Sequence, residues 1–332
     1  PVALVGLAVY LVSVLLLSMA QTGGQLLLLR MVQAFGAGMT VVVVGALVRD
    51  YYEGREAAQM FALIGIIMMA VPLVAPMLGA ELQKLGGWRA IFVFLLAYAV
   101  LLLGLMAGVL PKPAKTEKIG RDIFAVVAGR FKRVLQTRAA MGYLFFQAFS
   151  FSSMFVFLTE SSFVYMKLYG VSPRLYAWMF GLNIITMATF NRITAWRLKT
   201  GTHPQAILKW GIIVQLGANL LMAVSAAAFD LPPFWLLVGC VMFSVGTQGL
   251  VSANTQACFM GYFKEEGGSA NAVLGVCQSV IGASVGMLTT WLHNGTAQIM
   301  PFMMLASTVC GIILLRSCSH QAWKENSKAA GG

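Results

Sequence analysis

Ten times along this chain the sequence runs apolar for 19 to 29 residues before a turn interrupts it. The runs lie near 2–20, 24–48, 58–80, 89–110, 139–167, 173–196, 206–229, 234–259, 268–293 and 297–316. An α-helix rises 1.5 Å per residue, so about 20 residues cover the ~30 Å hydrocarbon layer of a bilayer. Backbone amides in that layer find no water, which leaves helices and closed barrels as the spanning structures. Barrel strands would alternate polar and apolar residues over about ten positions, and these runs do not alternate. The sequence predicts an all-α membrane protein with ten transmembrane helices.

Composition agrees, with 59% hydrophobic residues, 10% charged residues and a mean hydropathy of +0.81. A soluble domain carries roughly 25% charged residues. The five cysteines show no paired spacing and read as buried thiols, and the three histidines fall in loops or the tail without metal-ligand spacing. Neither a glycine-rich phosphate loop nor a nucleophile elbow is visible. The expectation is therefore a protein that is no enzyme and uses no cofactor or metal. The chain opens on Pro1 with no basic segment ahead of an apolar core, so no signal peptide is read and a missing N-terminus is expected.

Most linkers are short and carry turn chemistry, as in Leu85-Gly86-Gly87 and Asp230-Leu231-Pro232-Pro233. Ser172-Pro173 reads as an N-cap followed by proline at the first helical position. The stretch 111–138 differs, holding two prolines and eight basic side chains. It divides a four-span half (1–110) from a six-span half (139–320), with a tail at 321–332. Its part from Arg121 to Arg138 has apolar residues at helical spacing, fit to lie as an amphipathic helix on anionic lipid.

Cytoplasmic loops of membrane proteins collect lysine and arginine. With the 49–57 loop inside, 18 of the 23 basic residues are cytoplasmic, against four outside: Lys84, Arg89, Lys167 and Arg174. Both chain ends are then cytoplasmic. This bias accounts for the net charge of +12 without nucleic acid as a partner.

The remaining cation, Arg30, follows four leucines and sits about six residues inside its span, some 9 Å deep at 1.5 Å per residue. An intramembrane charge costs about 2.5–3.5 kcal/mol on insertion scales. Snorkelling to the outer interface is one reading. The other is a cation facing a central cavity, where it would lower the pKa of a nearby carboxylate.

An ungapped superposition of 36–65 on 246–275 pairs Gly36 with Gly246, Tyr52 with Tyr262 and Gly65 with Gly275. Its continuation sets Pro72 and Pro76 on Gly282 and Gly286, four apart on one helix face in each half. Parallel repeats of helical bundles, with a substrate site between them, would give this pattern.

At these residues the chain resembles the major facilitator superfamily, and within it the bicyclomycin/chloramphenicol-resistance type of drug:proton antiporter. The resemblance is carried by Leu29-Arg30-Met31-Val32-Gln33-Ala34-Phe35-Gly36-Ala37-Gly38, by Val48-Arg49-Asp50 and by Pro72-Leu73-Val74-Ala75-Pro76-Met77-Leu78-Gly79. Gly87-Trp88-Arg89-Ala90 and Ser161-Ser162-Phe163-Val164-Tyr165 add to it. It implies a twelve-helix bundle, of which this chain would lack the first two helices. It further implies a multi-pass, monomeric protein of the bacterial inner membrane, exporting small-molecule drugs against protons by alternating access. A metabolite exporter or symporter on the same fold, and a non-transporting remnant, stay open as alternatives.

Arg30 and Glu160 are the candidate charges for proton coupling or for the cavity. Glu160 is the one carboxylate well inside a span, readable as a proton carrier or as a vestibule carboxylate that selects cationic drugs. Relatives of the family type usually have a small residue at that position. Gln33, Tyr143, Phe146, Gln147, Ser150, Met154, Phe157, Asn183, Gln248 and Gln278 are candidates for the cavity wall, soft and aromatic with scattered amides. Asp50, Pro72, Pro76, Gly79, Gly282 and Gly286 are expected to serve structure and gating.

Overall fold

The computed structural model describes residues 2–51, 54–109, 122–263 and 266–329. Every regular element among them is helical, and the chain divides into two compact units, Pro1–Ile119 and Gly120–Gly332. The boundary falls inside the basic linker.

The first unit holds α1 (Val2–Ser18), α2 (Gly23–Tyr51) and α3 (Gly54–Val109), with α1 packed on both others. A capping box opens α2. Thr22 Oγ1 accepts the Gln25 amide at 3.3 Å while Gln25 Oε1 accepts the Thr22 amide at 3.3 Å. Helices α1 and α2 meet backbone to backbone, for a Cβ added to Gly36 would stand 2.7 Å from Gly6 O and Tyr10 N. Within lipid such close approach supplies the dispersion contact that holds helices together, since burial from water is not available there. The long α3 runs helical through Pro72 and Pro76 and breaks at Gly86–Gly87. Gly87 has φ 68°, a conformation that favours glycine, so this break is the turn that Leu85-Gly86-Gly87 predicts.

The second unit begins with α4 (Asp122–Gln136) and α5 (Arg138–Ser162), which continues into a π-helical segment, Phe163–Leu168. Next come α6 (Pro173–Lys199), α7 (Pro204–Ala228), α8 (Phe234–Gly246) and α9 (Gln248–Met260). Helices α10 (Gly267–Leu292) and α11 (Ile299–Ala329) complete it. Ser172 caps α6 as its sequence predicts, its Oγ accepting the Leu175 amide at 3.3 Å. α5 is the central helix, packed against α8, α9, α10 and α11. Gly282 and Gly286 let α10 approach it closely, a Cβ on them falling 3.2 Å from Phe155 and 3.4 Å from Thr159.

Two buried apolar clusters stack along α5. One gathers Tyr143, Phe146, Leu208, Val251 and Phe259, and the other Phe157, Tyr165, Met222, Val241 and Met304. Between them, at α5 positions 147 to 153, lies a layer of amides and hydroxyls.

Three details depart from the sequence reading. The span at 234–259 is two helices that meet at Thr247, whose Oγ1 donates to Ser244 O of the preceding turn. The span at 139–167 ends in π-helical geometry instead of a plain α-helical turn. Within the linker, Phe131 and Val134 of α4 pack into the protein's own apolar cluster, so this part of its apolar face meets the bundle rather than lipid. Arg133 at the end of α4 pairs with Glu266 ahead of α10 at 2.9 Å.

Six helices among the described residues have the length and hydropathy for a membrane crossing: Val74–Met106, Arg138–Leu168, Pro204–Ala228, Phe234–Met260, Gly267–Leu292 and Ile299–Ser319. Ala3–Ser18 is apolar but shorter. The chain is thus a multi-pass, all-helical membrane protein, with six such crossings among the described residues against the ten read from sequence.

Candidate functional site

The layer between the apolar clusters is built from five helices. Ser150 Oγ on α5 donates to Gln215 Oε1 on α7 at 2.8 Å, and Gln215 Nε2 returns a bond to Ser150 O at 3.3 Å. Gln248 Nε2 on α9 donates to Ser150 O and to its Oγ, each at 2.9 Å. One turn earlier on α5, Gln147 Nε2 donates to Ser252 Oγ at 2.9 Å and reaches Gln278 Oε1 of α10 at 3.5 Å. Ser252 Oγ closes the circuit onto Gln248 Oε1 at 3.4 Å.

One turn further along α5, Asn219 Nδ2 donates to Thr308 Oγ1 on α11 at 2.8 Å. It also reaches Met304 O at 3.3 Å and Ser153 Oγ at 3.4 Å. Ser150, Gln215 and Asn219 have no exposed surface, and Gln147 and Gln248 have almost none. Interhelical bonds of this kind contribute about 0.6 kcal/mol each in membrane proteins. A bare buried amide costs more than that, so the layer is held by mutual satisfaction. Gln147 Oε1, Asn219 Oδ1 and the Oδ1 of Asn183 have no hydrogen-bond partner among the described residues.

The structure thus brings Gln147, Ser150, Gln248 and Gln278 into one network and leaves Asn183 outside it. The aromatic candidates pack beside it. Phe157 stacks on Phe180 with ring centres 6.0 Å apart, Tyr143 lies 6.4 Å from Tyr262, and Phe146 is fully buried. Met154 packs half-buried against the second cluster. Gln215, Asn219, Ser252 and Thr308 are missing from the sequence reading, although Gln215 and Asn219, four apart on one face of α7, carry the same signal as the amides it names.

In the first unit Arg30 Nη1 donates to Gln33 Oε1 at 2.7 Å, one turn along α2. The guanidinium lies 5.9 Å from the centre of the Phe92 ring on α3. Gln33 is buried and Arg30 exposed. Pro76 and Gly79 are half-buried in α3, whereas the side chains of Asp50 and Pro72 lie outside the described residues.

At the far end of α5 Glu160 is buried, and its Oε2 lies 2.9 Å from His293 Nδ1 at the end of α10. The two are 133 residues apart, and no local pattern announces the pairing. Nearby, Tyr169 donates its hydroxyl to Pro232 O, and burial raises its pKa above the ordinary phenol value, which keeps the proton on.

Comparison with known proteins agrees with this architecture. The chain is 29% identical over 318 residues to a bicyclomycin resistance protein homolog of Haemophilus influenzae, covering 94% of this chain and 78% of that one. It is 26% identical over 319 residues to the multidrug resistance protein MdtL of Shigella flexneri, with 95% and 78% covered. Among solved structures, an inward-facing bacterial homolog of the human lysosomal transporter Spinster superposes with a TM-score of 0.70. That likeness covers 96% of this chain and 82% of the other at 14% identity, and it speaks for the fold alone. The family model described as Major Facilitator Superfamily matches residues 1–287, and the chain belongs to that superfamily.

Proposed function

We propose that this protein is a multidrug exporter of the bacterial inner membrane, moving small amphiphilic drugs outward in exchange for protons by alternating access. The names of its relatives, bicyclomycin resistance and multidrug resistance proteins, support drug export. The observation that carries the site is the amide layer across α5, α7, α9 and α10. Substrate sites of such transporters lie near the bilayer midplane, often where a helix is interrupted. Gln248 begins α9 directly after the break at Thr247.

In this reading Gln147, Ser150, Gln248 and Gln278 supply orienting hydrogen bonds. Tyr143, Phe146, Met154 and Phe157 supply a deformable apolar wall, and Asn183 a further amide. Arg30, steadied by Gln33, is the cavity cation that answers a carboxylate's protonation. Pro72, Pro76 and Gly79 in α3, with Gly282 and Gly286 in α10, shape the helices that rock, and Asp50 joins the cytoplasmic gate. The 18-to-4 distribution of basic residues supports ten crossings with both ends of the chain cytoplasmic. The working unit is a monomer in contact with lipid, and its partners are the drug and the proton.

The test is drug resistance in cells stripped of their own exporters and expressing this protein. Arg30→Ala should abolish resistance while membrane insertion is kept, and Arg30→Lys should recover it in part, since lysine keeps the charge but loses the planar fork. Full resistance in Arg30→Ala cells would reduce Arg30 to a snorkelling cation.

A further inference from the structure

We infer that His293 is a proton relay to Glu160, so that the two form a proton-loading site at the end of α5. The inference rests on the drug–proton exchange proposed above and adds to it the route by which the proton enters. The pair has a dry half and a wet half. The Glu160 side chain is 4% exposed while that of His293 is 31% exposed, with 2.9 Å between Oε2 and Nδ1. Among the described residues His293 is the one side chain that bonds the carboxylate. An ionised carboxylate buried without a counter-charge is costly, so each protonation state of the imidazole alters the cost of ionising Glu160. An imidazole has two ring nitrogens, so it can accept a proton at one and release one from the other.

The transfer balances with these two groups and water alone. Nε2 takes a proton from external water, giving the imidazolium. The Nδ1–H bond then breaks as Oε2–H forms, which leaves a neutral carboxyl and a neutral imidazole protonated at Nε2. Loss of that Nε2 proton to water and uptake at Nδ1 returns the ring to its starting tautomer, with one net proton moved to Glu160. The Phe163 ring stands edge-on to the imidazole at 4.5 Å between centres and fixes its plane.

The charged and titratable neighbours do not compete for this role. Lys167 Nζ lies over the Phe163 ring at 5.9 Å from its centre, Tyr176 of α6 is engaged by Ser161, and Tyr165 is buried. Arg174 is exposed at the start of α6, and Tyr169 is bonded to Pro232. Helix α10 carries no charged residue from Gly267 to Leu292, α8 carries none, and α11 none before Arg316.

A protonated Glu160 also changes what the outer end of α5 holds. The imidazolium–carboxylate pair ties α5 to the turn between α10 and α11, and the neutral pair ties it less strongly. The π-helical segment that begins at Phe163, three residues after Glu160, is the local irregularity that such a change would act on.

Two measurements on the purified full chain test the inference. The first is infrared difference spectroscopy on acidification from about pH 8 to pH 5. A protonated-carboxyl stretch should appear in the native protein and be missing in Glu160→Gln, and its absence from the native protein would overturn the proposal. The second is proton flux into vesicles containing the transporter, driven by chloramphenicol. His293→Ala should slow that flux by at least about tenfold, as expected on losing a proton-transfer group, and added imidazole should restore it. His293→Gln, which keeps a hydrogen bond to Glu160, should be slowed as much with folding preserved. Native-like flux in both histidine variants would overturn the relay and leave drug–proton exchange standing. No drug-driven flux in the native protein, with the carboxyl stretch present, would instead sink the exchange reading and the relay with it.

Discussion

Gln248 Nε2 donates at 2.9 Å to both the carbonyl oxygen and Oγ of Ser150, joining the first residue of α9 to the centre of α5. The contact sits where α8 has just ended and α9 begins, at the level that separates the two apolar clusters. It couples the interrupted helix to the element against which α8, α9, α10 and α11 pack.

Replacing Gln248 with leucine removes both bonds, takes the acceptor from Ser252 Oγ, and leaves Gln215 as the remaining side-chain partner of Ser150. At about 0.6 kcal/mol per bond between membrane helices, a loss of about 1–2 kcal/mol in stability is expected. Thermal unfolding in detergent should show a fall of a few degrees, and drug binding by tryptophan quenching should weaken by more than that stability loss explains. Unaltered binding would place Gln248 in the packing and outside the site.

Close helix approach gives a sharper contrast. A Cβ on Gly249 would stand 2.3 Å from Met187 O and 2.6 Å from the Asn191 amide, both backbone atoms of α6, whereas one on Gly239 or Gly275 meets nothing within 4 Å. Gly249→Ala should cost about 1–3 kcal/mol by overpacking. Gly239→Ala and Gly275→Ala should be neutral or slightly stabilising as helix formers. Folded yield on size-exclusion chromatography distinguishes them, and equal yields for all three would show that α9 can shift away from α6 freely.

Much of this fold is legible in the sequence because its causes are local. Apolar run length, the Ser172-Pro173 start and the Gly86-Gly87 turn all act within a few residues. The break at Thr247 is marked by Gly246, Thr247, Gln248 and Gly249, but long apolar stretches on either side join into one span by hydropathy, and α6 packs on both halves from outside. The candidate site divides the same way. Gln147, Ser150, Gln248 and Gln278 are readable as amides and a hydroxyl in apolar runs, but their assembly into one network depends on α5, α9 and α10 meeting. The partnership of Glu160 with His293 depends wholly on tertiary contact across 133 residues.

The Arg133–Glu266 pair offers a test of how firmly the linker helix is held. The bridge is 2.9 Å long, with the arginine side chain 68% exposed and the carboxylate 16% exposed. Exposed pairs contribute about 0–1 kcal/mol, so the anchoring of α4 should come mainly from Phe131 and Val134. Arg133→Ala should leave protease resistance of the linker nearly unchanged, while Val134→Asp should expose it. Rapid cleavage in Arg133→Ala would make the ion pair the main tie.

The orientation rests on basic residues and is checked by labelling. With native cysteines removed, Lys115→Cys should resist a membrane-impermeant thiol reagent in intact cells, and Arg174→Cys should react. The reverse pattern would invert the topology.

Drug movement under an imposed pH gradient tests the central claim most directly. Vesicles carrying the purified, uniformly oriented protein should accumulate chloramphenicol on the face corresponding to the cell exterior when that face is the more acidic. Accumulation should collapse when a protonophore dissipates the gradient, and drug-dependent proton movement should run in the opposite direction. Drug distribution that ignores the gradient, with the protein folded and drug-binding, would contradict proton-driven export.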